Sequence, residues 1–564
     1  MHPPKPPPLS HLIAIVVVAA FPFFSTFSVG KMLVASLFLL PIAFAGRKRA
    51  IKIGPSGWFL GLYLFLSIPA YVTSLSMDAT LTSMWLDLAS IAVFLLASRQ
   101  GEKSVSLPAF ATSMAFAFLL VSALWAVELL LPTPVGLLGA LPGASTMGNP
   151  DFVGELAALV GPLFLYMAVR QARSRTKADT RLLRIFLWGF VATLSVGVLG
   201  ASSSTTALLA SGAMALVAGG IFLWNRNRWF GVGAVVAFLV ASGLVAQVDF
   251  VEEKLAPRKF LYQVQLEGAS DSLLFGAGVG GFPKAYLNAQ ATQLAEEPDS
   301  RPLWTNAIHG HNFILHTAVE RGFPCAVAMA LFWLSVLFSA FRRRWGEQGI
   351  HGLIGVGLLV IALGSVGWHV VPFRLWLFLG AGVAAGGGRR GQTQWKTGGW
   401  VLTAVVALTL VLSSWYALAD QFRVDGAPTT ALKVFPWHRP ALFDAGWEAM
   451  AQGDAETACE RFQMAHEAQP NLSTAMAMGS CCADMDRLED AATWYRLTIR
   501  WKGDFAAAHS NLATIYFREH RPTLASRHIK RAVSLRPSDG DIARAREKIC
   551  ADNPECNTKG PVKD

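Results

Sequence analysis

The feature that most constrains this chain is a succession of apolar runs that fills nearly everything before residue 420. Each run is ~17–25 residues long, which is the length that a helix needs to cross a ~30 Å hydrocarbon core. The chain is 53% hydrophobic and only 15% charged, whereas soluble domains carry about 25% charged residues. The sequence therefore predicts a polytopic membrane protein rather than several soluble domains.

We predict about thirteen membrane spans that start from a cytoplasmic N-terminus. The first run is interpreted as a retained helix because no convincing small-residue cleavage site follows it. Pro372 breaks one long run into two spans. The predicted spans lie near residues 11–28, 32–46, 57–75, 80–98, 107–128, 152–169, 183–200, 206–224, 229–247, 313–340, 351–369, 372–388 and 398–418.

Basic residues before position 420 concentrate in alternate loops between these spans, as expected for cytoplasmic loops. The pattern places residues 129–151, residues 248–312 and everything after residue 419 outside the cytoplasm. Clusters lie at Arg47–Arg49, Arg170–Arg184, Arg342–Arg344 and Arg389–Arg390. The net charge of +11 is therefore explained by membrane topology, and nucleic acid is not an expected partner.

The tail has a pattern typical of tetratricopeptide-like helical repeats, whose period is 34 residues. The positions Gly446, Ala458, Phe462, Ala465 and Pro470 recur as Ala513, Ala525, Ile529, Ala532 and Pro537, with a weaker middle repeat at Gly479, Ala492 and Tyr495. Two or three repeats are few for such an array, so we expect them to dock on the membrane domain. The predicted fold is all-α: a membrane helix bundle over 1–418, a linker over 419–438, an extracytoplasmic α-solenoid over 439–548 and a tail over 549–564.

Five of the six cysteines lie in this tail, where an extracytoplasmic location permits disulfides. Cys550 and Cys556 form the easiest pair, and Cys459 is placed to meet Cys481 or Cys482. The spacing does not suggest a zinc site, because no histidine accompanies these cysteines.

The segment 248–312 is the largest predicted extracytoplasmic segment before the tail. Its glycines at 276, 278, 280 and 281 resemble a phosphate-binding loop, but no strand precedes them and no Lys-Ser/Thr follows, so they predict a tight turn. His309, His311 and His316 cluster near the next span, but the spacing of His311 and His316 does not align them on one helical face. We therefore predict no metal site. Glu320 and Arg321 lie inside the predicted span 313–340, where they are either functional or a mutual ion pair.

The same segment gathers histidine and basic side chains beside the bilayer, which suits a lipid-borne diphosphate. Guanidinium groups bind phosphate oxygens in a bidentate manner, and a neutral imidazole can accept a proton from an incoming hydroxyl.

At these residues the sequence resembles the O-antigen ligase superfamily, which includes ligases, polymerases and protein O-oligosaccharyltransferases. The main match is HGHNFILHTAVERGFPC at 309–325, where His311, Asn312 and Gly322 fit the family pattern and Cys325 departs from it. Arg258 with FGAGVGGFPKAY, and STMGNPDFVGE at 145–155, resemble two further family segments. The resemblance covers residues from about 130 to 390. One departure concerns Thr205, which stands where the family usually carries an arginine.

The resemblance implies an inverting glycan transfer without a cofactor or metal, from an undecaprenyl-diphosphate-linked donor in the outer leaflet of a bacterial inner membrane. Arg258 would hold the diphosphate, His311 would orient or deprotonate the acceptor hydroxyl, and Asn312 would cap the helix beside it. His309 would add to substrate binding. For the arginine that Thr205 replaces, three explanations stay open: Lys254, Lys259, Arg301 or Arg374 supplies the cation, the protein is a divergent polymerase-like member, or activity has been lost. The acceptor would be lipid A–core, a glycan or a protein, and the periplasmic repeats would bind an acceptor or a protein partner.

Three alternatives stay open. A polymerase that joins repeat units performs the same chemistry with another acceptor, and a non-catalytic membrane scaffold would present the repeats for assembly. A transporter would need charged groups near the bilayer midplane and internally repeated broken helices. Most ionisable groups lie at loop ends instead, which disfavours transport.

Overall fold

The computed structural model describes residues 9–19, 27–74, 76–100, 105–130, 147, 149–202, 204–226, 249–341, 347–386, 393–551 and 556. The described part is almost entirely helical, which confirms the predicted all-α class. The exception is a pair of three-residue antiparallel strands, β1 (Ile51–Ile53) and β2 (Thr393–Trp395), in which Ile51 faces Trp395. The predicted span 229–247 and the loop arginines at 342–344 and 389–390 lie outside the described residues.

The apolar part of the chain forms fifteen helices within the described residues. They are α1 Leu12–Val18, α2 Phe27–Ala45, α3 Pro55–Val72, α4 Met77–Gln100, α5 Leu107–Leu130, α6 Pro150–Ala172, α7 Ala178–Ala201, α8 Thr205–Arg226, α9 Asp249–Ser270, α10 Phe282–Glu296, α11 Phe313–Arg321, α12 Phe323–Phe341, α13 Glu347–Gly364, α14 Val371–Ala385 and α15 Gly398–Val424. Short 3₁₀ helices lie at Leu9–His11, Pro298–Leu303 and Val366–His369.

Six of the described helices are long and apolar enough to cross a membrane by length and composition: α3, α4, α5, α6, α7 and α15. Six further apolar helices fall short of that length. The prediction of about thirteen full spans is therefore not matched by helix length. Many large apolar side chains on these helices are exposed, among them Phe65, Phe116 and Phe186.

The predicted span 313–340 is wrong as a single helix, because the chain breaks at Gly322. This residue has φ +83, a conformation that side chains rarely adopt. It ends α11, and the Phe323 amide then donates to the Leu273 carbonyl at 2.8 Å. Glu320 and Arg321 consequently lie at the end of a short buried helix instead of inside a span. The predicted break at Pro372 is confirmed, since Pro372 lies in the first turn of α14 after the 3₁₀ turn at Val366–His369.

The segment 419–438, predicted as a linker, is largely helical. Helix α15 continues to Val424, and a short helix α16 follows at Pro428–Val434. Helix bounds shift in this way because apolar content alone does not mark where a helix ends.

The tail forms three helix pairs followed by one further helix. The pairs are α17 Arg439–Ala451 with α18 Ala455–Ala468, α19 Leu472–Asp484 with α20 Leu488–Trp501, and α21 Ala506–Arg518 with α22 Pro522–Leu535; the last helix is α23 Gly540–Cys550. Successive pairs begin about one 34-residue period apart. The chain therefore ends in a helical-repeat architecture of tetratricopeptide type.

The small residues of the repeat pattern explain how each pair closes. A Cβ atom added at Gly446 would lie 2.4 Å from the Phe462 ring, and one at Gly479 would lie 2.5 Å from the Tyr495 ring. The partner aromatic ring thus fills the space that a side chain would need. Disulfides join Cys459 to Cys481 across adjacent repeats and Cys550 to Cys556 at the end of the chain.

The repeats dock on the rest of the molecule, as their small number led us to expect. The Trp304 indole N–H donates to the Trp501 carbonyl at 2.9 Å, and the Trp501 indole N–H donates to Asn288 Oδ1 at 2.9 Å. Leu287 and Leu472 pack in the same buried cluster as Trp501. Helix α10 therefore joins the segment 248–312 to the repeats.

The break at Gly322 yields a stability prediction. In Gly322→Ala, a Cβ atom would lie 2.2 Å from the Leu274 carbonyl oxygen, and the backbone conformation alone costs about 1–3 kcal/mol for a residue other than glycine. We expect a lower unfolding temperature than that of the wild type. The control is Gly355→Ala in α13, where no described atom lies within 4 Å of the added Cβ. Equal unfolding temperatures for the two variants in detergent would contradict this account.

Candidate functional site

Arg258, on α9, lies where the ends of two other helices meet. Its guanidinium donates to the Gly364 carbonyl at the end of α13 at 2.7 Å, and to the hydroxyls of Thr206 and Thr205 at the start of α8 at 2.8 and 3.0 Å. The position at which an arginine was expected from the family resemblance, Thr205, is therefore in direct contact with Arg258. The segment that contains Arg258 and the segment that contains Thr205 are therefore neighbours in space.

Two further polar side chains surround this guanidinium, and sequence reasoning did not select either of them. Glu155 on α6 is 1% exposed, hydrogen-bonds Ser365 and lies close enough to Arg258 to interact with its charge. The hydroxyl of Tyr262, one turn after Arg258, donates to the Leu363 carbonyl at 3.0 Å. Glu155 was within a segment quoted for the resemblance, so its charge inside an apolar helix was the signal available.

His311 lies just before α11, and Asn312 fixes the start of that helix. Asn312 Oδ1 accepts from the amides of Ile314 and Leu315 at 3.0 and 3.1 Å, which confirms the predicted helix-cap role. Partial burial lowers the pKa of His311, and the positive charge of Arg258 lowers this pKa further, while Asp151 raises it. The imidazole is therefore neutral near pH 7 and able to accept a proton.

His309 does not join His311 and Arg258 but belongs to a second histidine group. Its ring stacks on His369 with centroids 4.0 Å apart, and His369 packs edge-on against His316. His316 Nδ1 accepts from the Gly310 amide at 3.2 Å, and its Nε2 lies 3.4 Å from Glu320 Oε2. The group arises because His369, far away in the sequence, is brought to the two histidines that sequence analysis recognised.

One nitrogen each of His309, His316 and His369 falls within 4.8 Å of the others, which is close enough for a metal ion. Both nitrogens of His316 already have protein partners, so a metal would have to displace one of them. Cys459, Cys481 and Cys482 also lie close together, but the first two are joined in a disulfide.

The glycine-rich segment forms a tight turn, as predicted, and this turn packs against α11. Gly276, Gly278 and Gly280 all have positive φ. The Ala277 amide donates to the Val319 carbonyl at 2.8 Å, and the Gly280 amide donates to Glu320 Oε1 at 2.9 Å. The turn thereby gives Glu320 a partner, and the hypothesis of a mutual Glu320–Arg321 pair is wrong.

Arg321 and Arg374 instead share the carboxylate of Asp87 in the interior of the helix bundle. Arg321 lies 2.7 Å from Asp87 Oδ2 and also donates to the Tyr63 hydroxyl at 2.7 Å. Arg374 pairs with the other oxygen of Asp87, donates to Ser90 at 3.1 Å and lies over the Trp368 ring. All three charged groups are less than 10% exposed. Arg374 is therefore committed to Asp87 and does not replace the missing arginine near Arg258.

No described contact joins the other predicted cations, Lys259 and Arg301, to the guanidinium of Arg258. Lys259 follows Arg258 on α9, and its side chain is exposed, whereas the side chain of Lys254 lies outside the described residues. Arg301 is exposed and lines a cavity beside the repeat helices. Of the predicted site residues, Arg258 lies within electrostatic range of His311, and Asn312 follows His311 as the cap of α11.

This arrangement is chemically suited to binding an anionic group and to accepting a proton from a hydroxyl. The guanidinium of Arg258 and the first turn of α8 present hydrogen-bond donors and positive potential. The neutral imidazole of His311 lies within electrostatic range of Arg258.

The buried charge cluster yields a second stability prediction. Asp87→Asn leaves two buried guanidinium groups without a counter-charge, and breaking a buried pair in this way costs about 3–5 kcal/mol. We expect a large fall in unfolding temperature in detergent. The control is Asp486→Asn, at an exposed left-handed position where asparagine is well tolerated. An Asp87→Asn protein as stable as the control would contradict this role.

No protein-family model and no curated protein matches the sequence. Among solved structures, the crystal structure of the APC/C hetero-tetramer Cut9-Hcn1 is similar over 91% of this chain and 99% of that chain, at 12% sequence identity and a TM-score of 0.22. A TM-score this low carries no argument about fold or function.

Proposed function

We propose that this chain is a membrane glycan transferase of the O-antigen ligase type, which uses a polyprenyl-diphosphate-linked donor. The observation that carries the proposal is that Arg258 contacts Thr205 and lies within electrostatic range of His311, although the three residues come from separate segments. A diphosphate leaving group needs cationic and hydrogen-bond donors, and the acceptor hydroxyl needs a base.

In the proposed reaction, Arg258 and the start of α8 hold the diphosphate. Ser204 caps this helix by accepting from the Ala207 amide at 3.3 Å, and the hydroxyls of Thr205 and Thr206 lie beside the guanidinium. The positive end of a helix favours phosphate oxygens. These groups offer a physical reason why the site tolerates threonine in place of a second arginine.

His311 then accepts the proton of the acceptor hydroxyl. The acceptor oxygen forms a bond to the anomeric carbon while the bond from that carbon to the diphosphate oxygen breaks, and the electron pair leaves with the diphosphate. Attack opposite the leaving group inverts the anomeric configuration. Asn312 positions His311 by fixing the first turn of α11.

The proposal includes about thirteen crossings of a bacterial inner membrane, with the repeats in the periplasm. The pairing of β1 with β2 supports the topology, because both strands belong to loops that were assigned to the cytoplasmic side. Two disulfides in the tail fit an oxidising compartment. The shorter apolar helices would cross with local bilayer thinning or with help from adjoining turns. The acceptor is lipid A–core or a protein, or another repeat unit if the enzyme is a polymerase.

One observation favours the alternative of a non-catalytic scaffold. The guanidinium of Arg258 is already bound by Gly364, Thr205 and Thr206, which is also what a purely structural clamp between α8, α9 and α13 would look like. The two functions differ in what happens when His311 is changed, since His311 takes no part in that clamp.

The first experiment is complementation of a strain that lacks the gene, with His311→Asn and Arg258→Gln compared with wild type. We expect both variants to reach the membrane and to lose roughly 10²-fold or more of glycan transfer, because removing a general base (His311) or a donor to the developing negative charge (Arg258) has about this effect. Surface glycan length on a gel and the membrane level of each variant are the measurements. The matched controls are His520→Asn and Arg496→Gln, which lie on the exposed surface of the repeats.

The glycan pattern assigns the acceptor. Core without long chains indicates ligation, whereas core that bears a single repeat unit indicates polymerisation. If both variants restore the wild-type ladder of surface glycans, the transferase proposal is rejected and the scaffold alternative remains.

A second prediction concerns pH. Since the reaction needs neutral His311, its rate falls as pH drops through the pKa of this residue, and a lower pKa moves that fall to lower pH. Asp151 raises the pKa of His311, so Asp151→Asn should shift the acidic limb of the rate profile to lower pH. Asp486→Asn should leave the limb in place. A limb that is unchanged or shifted upward in Asp151→Asn would contradict the assignment of His311 as base.

A further inference from the structure

We propose that a second site, in the cavity between the segment 248–312 and the repeats, binds the anionic group of an acidic saccharide. The cavity has a volume of about 450 Å³, within the range of small-molecule sites. One wall comes from α10 and the 3₁₀ helix Pro298–Leu303, and the other comes from α20, α21 and α22. Neither Arg258 nor His311 lines this cavity. Binding at this second site is therefore a function beyond the proposed transfer reaction.

The lining of this cavity is strongly basic. Five cationic side chains and one carboxylate line the cavity. The cations are Arg301, Arg500, Lys502, Arg527 and Arg531, and the carboxylate is Asp504. Within the described part of the chain, none of the five cations forms an ion pair with a carboxylate, although nearby repeat arginines such as Arg487 and Arg518 do. Cations gathered around a cavity without counter-charges favour an oxyanion ligand.

Two of these arginines are arranged to act together. Arg527 and Arg531 are four residues apart on α22, so they lie on the same face of that helix. Between them, His528 hydrogen-bonds to His509 through their Nδ1 atoms at 2.9 Å. Burial, His509 and Arg527 together lower the pKa of His528 to about 4. The imidazole is therefore neutral near pH 7 and contributes polarity to the cavity without charge.

The walls of the cavity are held in a fixed relation by tryptophans. Trp304 donates to the Trp501 carbonyl, and Trp501, which is 2% exposed, donates to Asn288. Lys502 lies over the Trp304 ring with its Nζ 4.3 Å from the ring centre. The cations thus face a preformed space, which lowers the entropy cost of binding.

The remaining lining is apolar and includes Ala291, Leu294 and Ile499 beside the tryptophans. A ligand that fits must offer an oxyanion to the cations and an apolar face to this wall. A pyranose that carries a phosphate or a carboxylate offers both, since its C–H groups form an apolar face. The two sources of the anion share this chemistry, and binding experiments can tell them apart.

The test measures equilibrium binding to the full-length protein in detergent at low salt, with ligand-observed NMR as the method of detection. The probes are glucose 6-phosphate for the phosphate source and glucuronate for the carboxylate source, with glucose as the neutral control. The key variant is Arg527→Gln/Arg531→Gln, and Arg301→Gln tests the opposite wall. The matched control is Arg496→Gln/Lys548→Gln, which removes the same charge from exposed repeat positions that do not line the cavity.

We expect at least one anionic sugar to bind, glucose to bind much more weakly, and the affinity to fall about tenfold in Arg527→Gln/Arg531→Gln, the size expected for one lost charged hydrogen bond. Arg301→Gln should weaken binding in the same direction, and the control should not. Unfolding temperatures identify any variant that is misfolded, in which case Arg301→Gln decides. Because no turnover is needed, His311→Asn should bind like wild type, so a failed transferase proposal leaves this result intact.

Three outcomes would overturn the proposal. The first is that neither anionic sugar binds, and the second is that the control variant weakens binding as much as the cavity variants do. The third is that an acidic peptide binds with dependence on Arg527 and Arg531 whereas the sugars do not, which would assign the cavity to a protein partner.

Discussion

The carboxylate of Asp87 is the group on which the geometry of the apolar helix bundle depends. A single buried anion receives Arg321 from α11 and Arg374 from α14, and in a low-dielectric interior these charges are tolerable only when they are paired. Tyr63 adds a hydrogen bond from α3. Four helices are thereby tied at one point, and α11 is fixed at its C-terminal end.

Fixing α11 also fixes the candidate site. Arg321 ends this helix, and Asn312 caps its beginning one residue after His311. Glu320 holds the Gly280 amide, so the glycine-rich turn is attached to the same helix. The chain leading from Arg258 on α9 through this turn is therefore held at both ends. The position of His311 relative to Arg258 follows from buried charges at the far end of a nine-residue helix.

Local features of this arrangement were predictable from the sequence, whereas long-range pairings were not. Asn312 as a cap, the tight glycine turn, the break at Pro372 and the helical repeats of the tail all depend on residues close together in the chain or at a fixed period. The partners of Arg374 and Glu320 depend on which helices are neighbours, which composition does not encode. His369 joined the histidine group for the same reason. Apolar content predicted where helices occur but not their length, since the stop at Gly322 depends on a backbone contact with Leu274.

Arg301 shows how the segment 248–312 connects the two ends of the molecule. Its charge suggested a place beside the diphosphate, yet it lines the junction with the repeats, because Trp304, three residues later, is hydrogen-bonded to Trp501. From Trp304 the chain runs directly to His311. The repeats are therefore more than an extension of the apolar helix bundle, because their hydrogen bond to Trp304 constrains the path of the chain towards His311. A repeat unit that packed loosely would leave that approach free, so the buried contacts of Trp501 are part of what positions the candidate site.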